Sequence, residues 1–274
     1  MENTVKFWGV RGSTPSPGPA TARVGGNTSC VEVRLGGERI IIDGGTGLRA
    51  LGSTMSGGPV VATIMFSHLH WDHIQGIPFF APLYRPGSRL TMIGPVGLRE
   101  ALAQQMSCPS FPVSMDAFAS SIRFVEIEAG ESFTIGDVQV ETAPLDHPGG
   151  AIGYRLSFGG SVVTHLCDHE AGRGTESAVL ELARGADVLI HDAQYTPEEY
   201  PSKVGWGHST YEQAARLATR SGARALLLTH HEPSRSDVEL DEIERRARSC
   251  FAATTVAREG DVIVCGGCSV GEAA

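Results

Sequence analysis

The chain has 274 residues, 41% of them apolar, which is ample for a packed core, and a formal charge of −9. No basic run exceeds Arg245-Arg246, and a broad nucleic-acid surface needs clustered cations to displace counterions. No stretch reaches a membrane span, no charged-then-apolar leader opens the chain, and the six scattered cysteines read as reduced thiols, so a cytoplasmic protein with no membrane partner is expected.

Strand candidates follow one another along the chain: VKFWGV, CVEVRL, RIIIDGG, VVATIMF, RLTMIG, IRFVEI, VQVETA, GYRLSF, VVTHLC, DVLIHD and ALLLTH. A Pro-rich loop, Thr14 to Pro19, separates the first two. Two helices are well marked. One begins at Thr210 with Gln213 three residues on, a capping box, and stops at Gly222; the other begins at Ser236 with Glu239 in the matching place. In the second, Leu240, Ile243, Ala247 and Phe251 fall on one face. There is no linker, no repeat and no low-complexity tract. Strand runs followed by alternating strands and helices predict sheets covered by helices in a single domain, 1–274, of α/β class.

The chemistry concentrates at strand ends. After VVATIMF comes SHLHWDHIQG, with His68, His70, Asp72 and His73 within six residues. In extended chain, residues i and i+2 face the same side, so His68 and His70 can converge on one ion; a turn then lets Asp72 and His73 face a second. Burying four such side chains without a metal would leave many polar atoms unpaired. Further ligand types stand where later strands emerge: His147 in PLDHPGG, Asp168 in LCDHE and His230 in LLLTHHE. His231, His165 and His169 are read as bystanders or as supports behind the ligands; neighbours on a strand point to opposite faces, so His230 and His231 are not expected both to bind.

These motifs resemble those of the metallo-β-lactamase superfamily, over nearly the whole chain. Its motifs map in order onto Asp43 in IIDGG, the His68–His73 cluster, His147, Asp168 and His230. The resemblance implies a four-layer αβ/βα sandwich with a dinuclear site at one edge of the sheets. It implies that His68, His70 and His147 hold one ion, that Asp72, His73 and His230 hold the other, and that Asp168 bridges them. Asp43 would orient a metal-bound histidine. Zn²⁺ is the expected metal, with Mn²⁺ and Fe²⁺ open to the same ligands.

Two close divalent ions can share a hydroxide and polarise a scissile group, which suits ester, lactone, thioester and phosphodiester hydrolysis alike. A departing alkoxide needs a proton donor besides. His208, in GWGHST, and Asp192, in LIHDAQY, match the proton-donating histidine and its orienting acid in ribonuclease Z and related phosphodiesterases, although ribonuclease Z commonly has Glu at the second position. His208, Asp192 and Asp72 form the expected catalytic set. Ribonuclease Z of bacteria carries a tRNA-gripping arm between the positions of His147 and Asp168. Only twenty residues separate them here, enough for a hairpin, so neither tRNA nor DNA is expected as a partner.

The segments FWGVRGSTPSPGP, GGNTSCVEV, DHPGGAIGYRL and GWGHST resemble bacterial phosphodiesterases that open phosphoribosyl cyclic phosphates or cyclic nucleotides. The expected partner is therefore a small anionic phosphodiester. Asn27, in the Gly25–Thr28 turn, and Arg235 are candidate contacts to it. A homodimer is compatible with the sequence, but no residue marks one. The rival readings are another hydrolase of the same fold, such as a lactonase or thioesterase, and a non-catalytic metal- or cofactor-binding protein. The CGGC from Cys265 to Cys268 is one C-x-x-C with no second pair beside it and reads as structural.

Overall fold

A computed structural model describes residues 2–55, 57–266 and 270–271; Cys268 lies outside the described residues. The first half of the chain supplies strands β1 (Thr4–Gly9), β2 (Cys30–Leu35), β3 (Glu38–Ile42), β4 (Val61–Met65), β5 (Arg89–Pro95) and β6 (Ser121–Ile127). With them come helices α1 (Gly47–Thr54), α2 (Trp71–Ile74) and α3 (Leu98–Gln105). The second half adds β7 (Ser132–Ile135), β8 (Val138–Leu145), β9 (Ala151–Phe158), β10 (Ser161–Leu166), β11 (Val188–Asp192), β12 (Leu226–Thr229) and β13 (Thr254–Val256). Its helices are α4 (Glu176–Ala183), α5 (Tyr211–Ser221) and α6 (Asp237–Cys250); β14 (Val262–Val264) and β15 (Val270–Gly271) return to the first sheet.

The strands make an eight-stranded sheet, β15-β14-β1-β2-β3-β4-β5-β6, and a seven-stranded one, β13-β12-β11-β10-β9-β8-β7. Period-two alternation decides which face each residue supplies. Ile40 and Ile42 of β3 and Met65 of β4 join the cluster that also holds Val140, Tyr154 and Val163 of the second sheet. Ile41, Ala62 and Ile64, one step out of phase, pack with Leu48 and Leu51 of α1 and Leu98 and Leu102 of α3. On the far side of the second sheet, Ala214 and Ala218 of α5 and Leu240 and Ile243 of α6 are buried against it. Helix, sheet, sheet, helix is the expected four-layer αβ/βα sandwich. Truncating an interior side chain such as Ile41 would cost about 2–5 kcal/mol.

Both helices marked in the sequence begin as expected, and the first stops at Gly222; the second ends at Cys250, so Phe251, expected on its face, is the residue just past it. Thr210 and Gln213 exchange the two bonds of a capping box, as do Ser236 and Glu239. The twenty residues between His147 and Asp168 form the β9–β10 antiparallel hairpin, as their length required. Among the described residues no helix is long and apolar enough to cross a membrane.

Each sheet is antiparallel on one side and parallel on the other. β3, β4, β5 and β6 run parallel, as do β10, β11, β12 and β13. The carboxyl ends of parallel strands are where α/β sheets place their sites. Asp43 follows β3, Ser67 to His73 follow β4, Asp168 follows β10, Asp192 ends β11 and His230 follows β12.

Candidate metal centre

The chain leaves β4 extended and turns at once into the single turn of α2, so His68 and His70 share a side while Asp72 and His73 come round from the helix. Two donor groups result, each with its ligand atoms within 4.8 Å of one another: His68, His70 and His147, and Asp72, His73, Asp168 and His230. Asp168 lies between them. One of its oxygens is 3.7 Å from Nε2 of both His68 and His147 and 3.4 Å from His73 Nε2, and the other is 3.1 Å from His230 Nε2. Except for His70 and the half-buried His147, the set is buried.

Each imidazole whose Nε2 faces the centre is held from behind at Nδ1. His68 Nδ1 meets the Ser67 hydroxyl at 3.0 Å. His73 Nδ1 meets the Asp43 carboxylate at 2.8 Å, His147 Nδ1 donates to the Gly207 carbonyl at 2.9 Å, and His230 Nδ1 meets Gln194 Oε1 at 2.9 Å. With Nδ1 donating to these acceptors, Nε2 is the atom left for an inward ligand, the arrangement a metal needs. Asp43 also accepts from the Ser67 amide and hydroxyl. The Ser13 amide donates to Asp72 Oδ2 at 2.7 Å. Asp43 and His230 both have positive φ, 64° and 58°, a conformation uncommon outside glycine and characteristic of functional turns.

The residues fit divalent ions on their own chemistry. Nε2 of His68 and of His73 are buried with no hydrogen-bond partner. Burial holds the pKa of His68, His70 and His147 below the ordinary imidazole value, so they stand neutral, as ligands must. For Asp72, burial acts upward, but His73 and His230 outweigh it and keep the carboxyl ionised. His73 goes the other way: burial opposes its charge, yet Asp72, Asp168 and Asp43 raise its pKa well above normal. A proton there occupies the place that a cation would take. Five imidazoles and two carboxylates are a donor set suited to zinc, manganese or iron.

His208 stands beside this cluster. Its ring stacks on that of His230 at 4.9 Å and 23°, and one of its ring nitrogens lies within 4.8 Å of donor atoms of His147 and Asp168. His208 Nδ1 is 2.6 Å from Asp192 Oδ2, and Asp192 is itself fixed by the amides of Gln194 and Ser209. Burial disfavours the charged ring, but Asp192 prevails and the pKa rises to about 9. His208 therefore holds its proton at neutral pH, with Nε2 the free end.

Two expected substrate contacts are committed elsewhere. Asn27 gives its side-chain amide to Glu259 Oε2 at 2.8 Å and its backbone N–H to Oε1 at 2.6 Å, tying the first loop to the C-terminal segment. The Arg235 guanidinium is a fork on Glu199, at 2.7 and 3.0 Å, so its charge is already matched. The histidines set aside in the sequence are buried away from the donors: His231 donates from Nε2 to the Ala257 carbonyl, and His169 Nδ1 accepts the Asp146 amide. Cys265 is a buried free thiol whose pKa burial pushes up to about 12.

Sequence reasoning missed the supports. Gln194, Ser13 and Gly207 act through groups that any sequence offers in plenty, although Gln194 stands only two residues past Asp192. Glu170 is the largest omission. Its buried carboxylate accepts the amides of Gly205 (2.8 and 3.0 Å) and Gly207 (2.9 Å) and the Tyr200 hydroxyl (2.9 Å). It thereby clamps the turn that carries both the carbonyl orienting His147 and the ring of His208. Gly207 has φ +87°, and a Cβ on it would lie 2.2 Å from His147 Nδ1, so only glycine fits.

The profile of the family described as "Beta-lactamase superfamily domain" matches residues 38–231. Ribonuclease Z of Mycolicibacterium gilvum is 28% identical over 265 residues, covering 87% of this chain and 88% of that one. In fold, the chain is similar to the metallo-β-lactamase-fold protein YhfI of Bacillus subtilis (TM-score 0.74, 20% identity, 96% of this chain and 99% of that one). It is similar also to a diphosphatase of the PhnP family (TM-score 0.73, 20% identity, 97% and 99%). The paired donor groups, the sandwich that brings them together and the match across most of the sequence lead to one conclusion: the chain belongs to the metallo-β-lactamase superfamily, as a hydrolase of that family.

Proposed function

We propose that the protein is a dinuclear metal-dependent phosphodiesterase that opens a small cyclic phosphodiester, with zinc the favoured metal. The observation that carries this reading is the His208–Asp192 pair against the donor cluster, 2.6 Å apart and stacked on His230. Lactone and thioester hydrolysis have less need of a buried, protonated imidazole beside the ions. An alkoxide leaving phosphorus does need one.

Two divalent ions in these groups would acidify water and offset the charge on the phosphoryl oxygens. The chain's own residues do the rest. His208 gives its Nε2 proton to the leaving oxygen. Asp192 keeps that ring in the right tautomer and stabilises its charge before transfer. Asp43, Gln194 and the Gly207 carbonyl fix the ligand rings so that little reorganisation accompanies the reaction. The hairpin of β9 and β10, with nothing larger between His147 and Asp168, supports a small substrate over a folded RNA. The names ribonuclease Z and diphosphatase among the relatives agree with chemistry at phosphorus.

The test is a panel of 2′,3′- and 3′,5′-cyclic nucleotides and a phosphoribosyl cyclic phosphate, with wild type compared to His208→Ala at equal metal content. Turnover of one class, lost in the variant, supports the reading. Metal-loaded protein inert on every diester but active on a lactone or thioester refutes it.

A further inference from the structure

The turn held by Glu170 displays something besides His208. Between its two clamped glycines stands Trp206, 57% exposed. An indole left in water forgoes about 2 kcal/mol of burial and on a loose loop would fold down onto the nearest apolar surface. Here it is kept up: Gly205 and Gly207 have φ of +86° and +87°, and both amides end on the buried Glu170 carboxylate. The Lys203 ammonium lies 4.0 Å over the indole ring, and 5.9 Å from the ring of Tyr195, which in turn is 5.8 Å from the ring of His208. The chain has twenty arginines and only two lysines, and this lysine makes no ion pair among the described residues. Trp206 is two residues from His208, so their Cα atoms are at most about 7.6 Å apart, within the reach of one nucleoside.

We infer that Trp206 and Lys203 form a subsite for the nucleobase of a nucleoside cyclic phosphate. The inference rests on the phosphodiesterase reading and narrows it, from small cyclic diesters in general to those that carry a base. The base stacks on the indole face that Lys203 leaves open, while the ammonium backs the opposite face and holds the ring in place. Indole stacking accepts any base, so the subsite selects for the presence of a base rather than for its identity. The competing ligand is a base-free phosphoribosyl cyclic phosphate with a further phosphate. It would look instead to Arg173, an exposed guanidinium that shares a cavity of about 280 Å³ with His147, Glu170 and Gly205.

The experiment measures binding first, on the metal-loaded protein, with adenosine 3′-monophosphate and ribose 3-phosphate as base-bearing and base-free probes. Wild type should bind the nucleotide the more tightly. Trp206→Ala should weaken it about 5- to 150-fold, the range for one stacked base, and leave ribose 3-phosphate unchanged; Trp206→Phe should recover part of the loss. In turnover of adenosine 2′,3′-cyclic phosphate, Trp206→Ala should raise KM and spare kcat. Equal affinity for the two probes, or a Trp206→Ala variant that changes neither or both alike, overturns the subsite. Base-selective binding with no diester turned over would uphold the subsite and sink the reaction. Turnover of a phosphoribosyl cyclic phosphate, indifferent to Trp206→Ala, would do the reverse.

Discussion

Glu170→Ala should damage catalysis more than its distance from the reacting atoms suggests. The carboxylate accepts two backbone amides and one phenol while itself buried. Removing it leaves the Gly205 and Gly207 amides without an acceptor, at about 1–3 kcal/mol each if they stay buried. The turn lies near the surface and water can replace the lost partner, so the total should sit near the low end, about 2–3 kcal/mol. For a chain of 274 residues, at about 2.1 cal/mol/K of unfolding entropy per residue, that is a fall in Tm of roughly 4–5 °C. The larger effect is on alignment. The Gly207 carbonyl orients His147 and the next residue is His208, and a displacement of about 1 Å in such groups costs on the order of 100-fold in rate. Glu170→Gln, which keeps the shape but turns a donor toward a donor, should fall between. The assay pairs kcat with amide hydrogen exchange over 203–208. Faster exchange there with kcat lowered about 100-fold supports the clamp. Unchanged exchange, or faster exchange with full kcat, refutes it.

Three other outcomes follow from the same geometry. His208→Ala should keep both metals and lose about 100- to 10,000-fold in kcat on the diester, as read by metal analysis beside steady-state kinetics; a loss of metal instead would make His208 a ligand. Chelation should lower Tm and graded return of metal should restore it with concentration, because ions that bind only the folded state stabilise it by mass action; a Tm blind to metal would contradict an ion between these carboxylates. His165, buried on β10, has its pKa lowered by burial from 6.5 to about 4, so the unfolded chain binds the more protons between those values. Its contribution is intact above pH 6.5, is lost as pH falls toward 4 and amounts to about 3 kcal/mol over that window. His165→Met should flatten that part of the acid limb in urea unfolding at pH 7.5 and 4.5, and an unchanged slope would show that His165 does not bear it.

What was legible in the sequence followed from local rules. CVEVRL is a strand from its first residue to its last because alternation and β-branching agree, and the helices at Thr210 and Ser236 were announced by side chains three residues apart. The seven donors could be proposed because they gather where strands emerge: His68, His70, Asp72 and His73 in the turn after β4, and His147, Asp168 and His230 just past β8, β10 and β12. Partners set by tertiary approach were not legible. Asn27 looked free in its Gly-rich turn, but its partner Glu259 is 232 residues away, and nothing near Arg235 marked Glu199 as its counter-ion. The edge strand SFTI of β7 and the short β13, β14 and β15 were missed because three or four residues, or only two, give alternation too little length to register.

The donors come from both sheets. His68, His70, Asp72 and His73 hang from the first, and His147, Asp168 and His230 from the second. His68 and His230 are 162 residues apart in the chain, so neither sheet alone carries the whole centre. An ion that takes ligands from both would act as a rivet through their shared edge, binding only where the two halves are docked and so making them harder to separate.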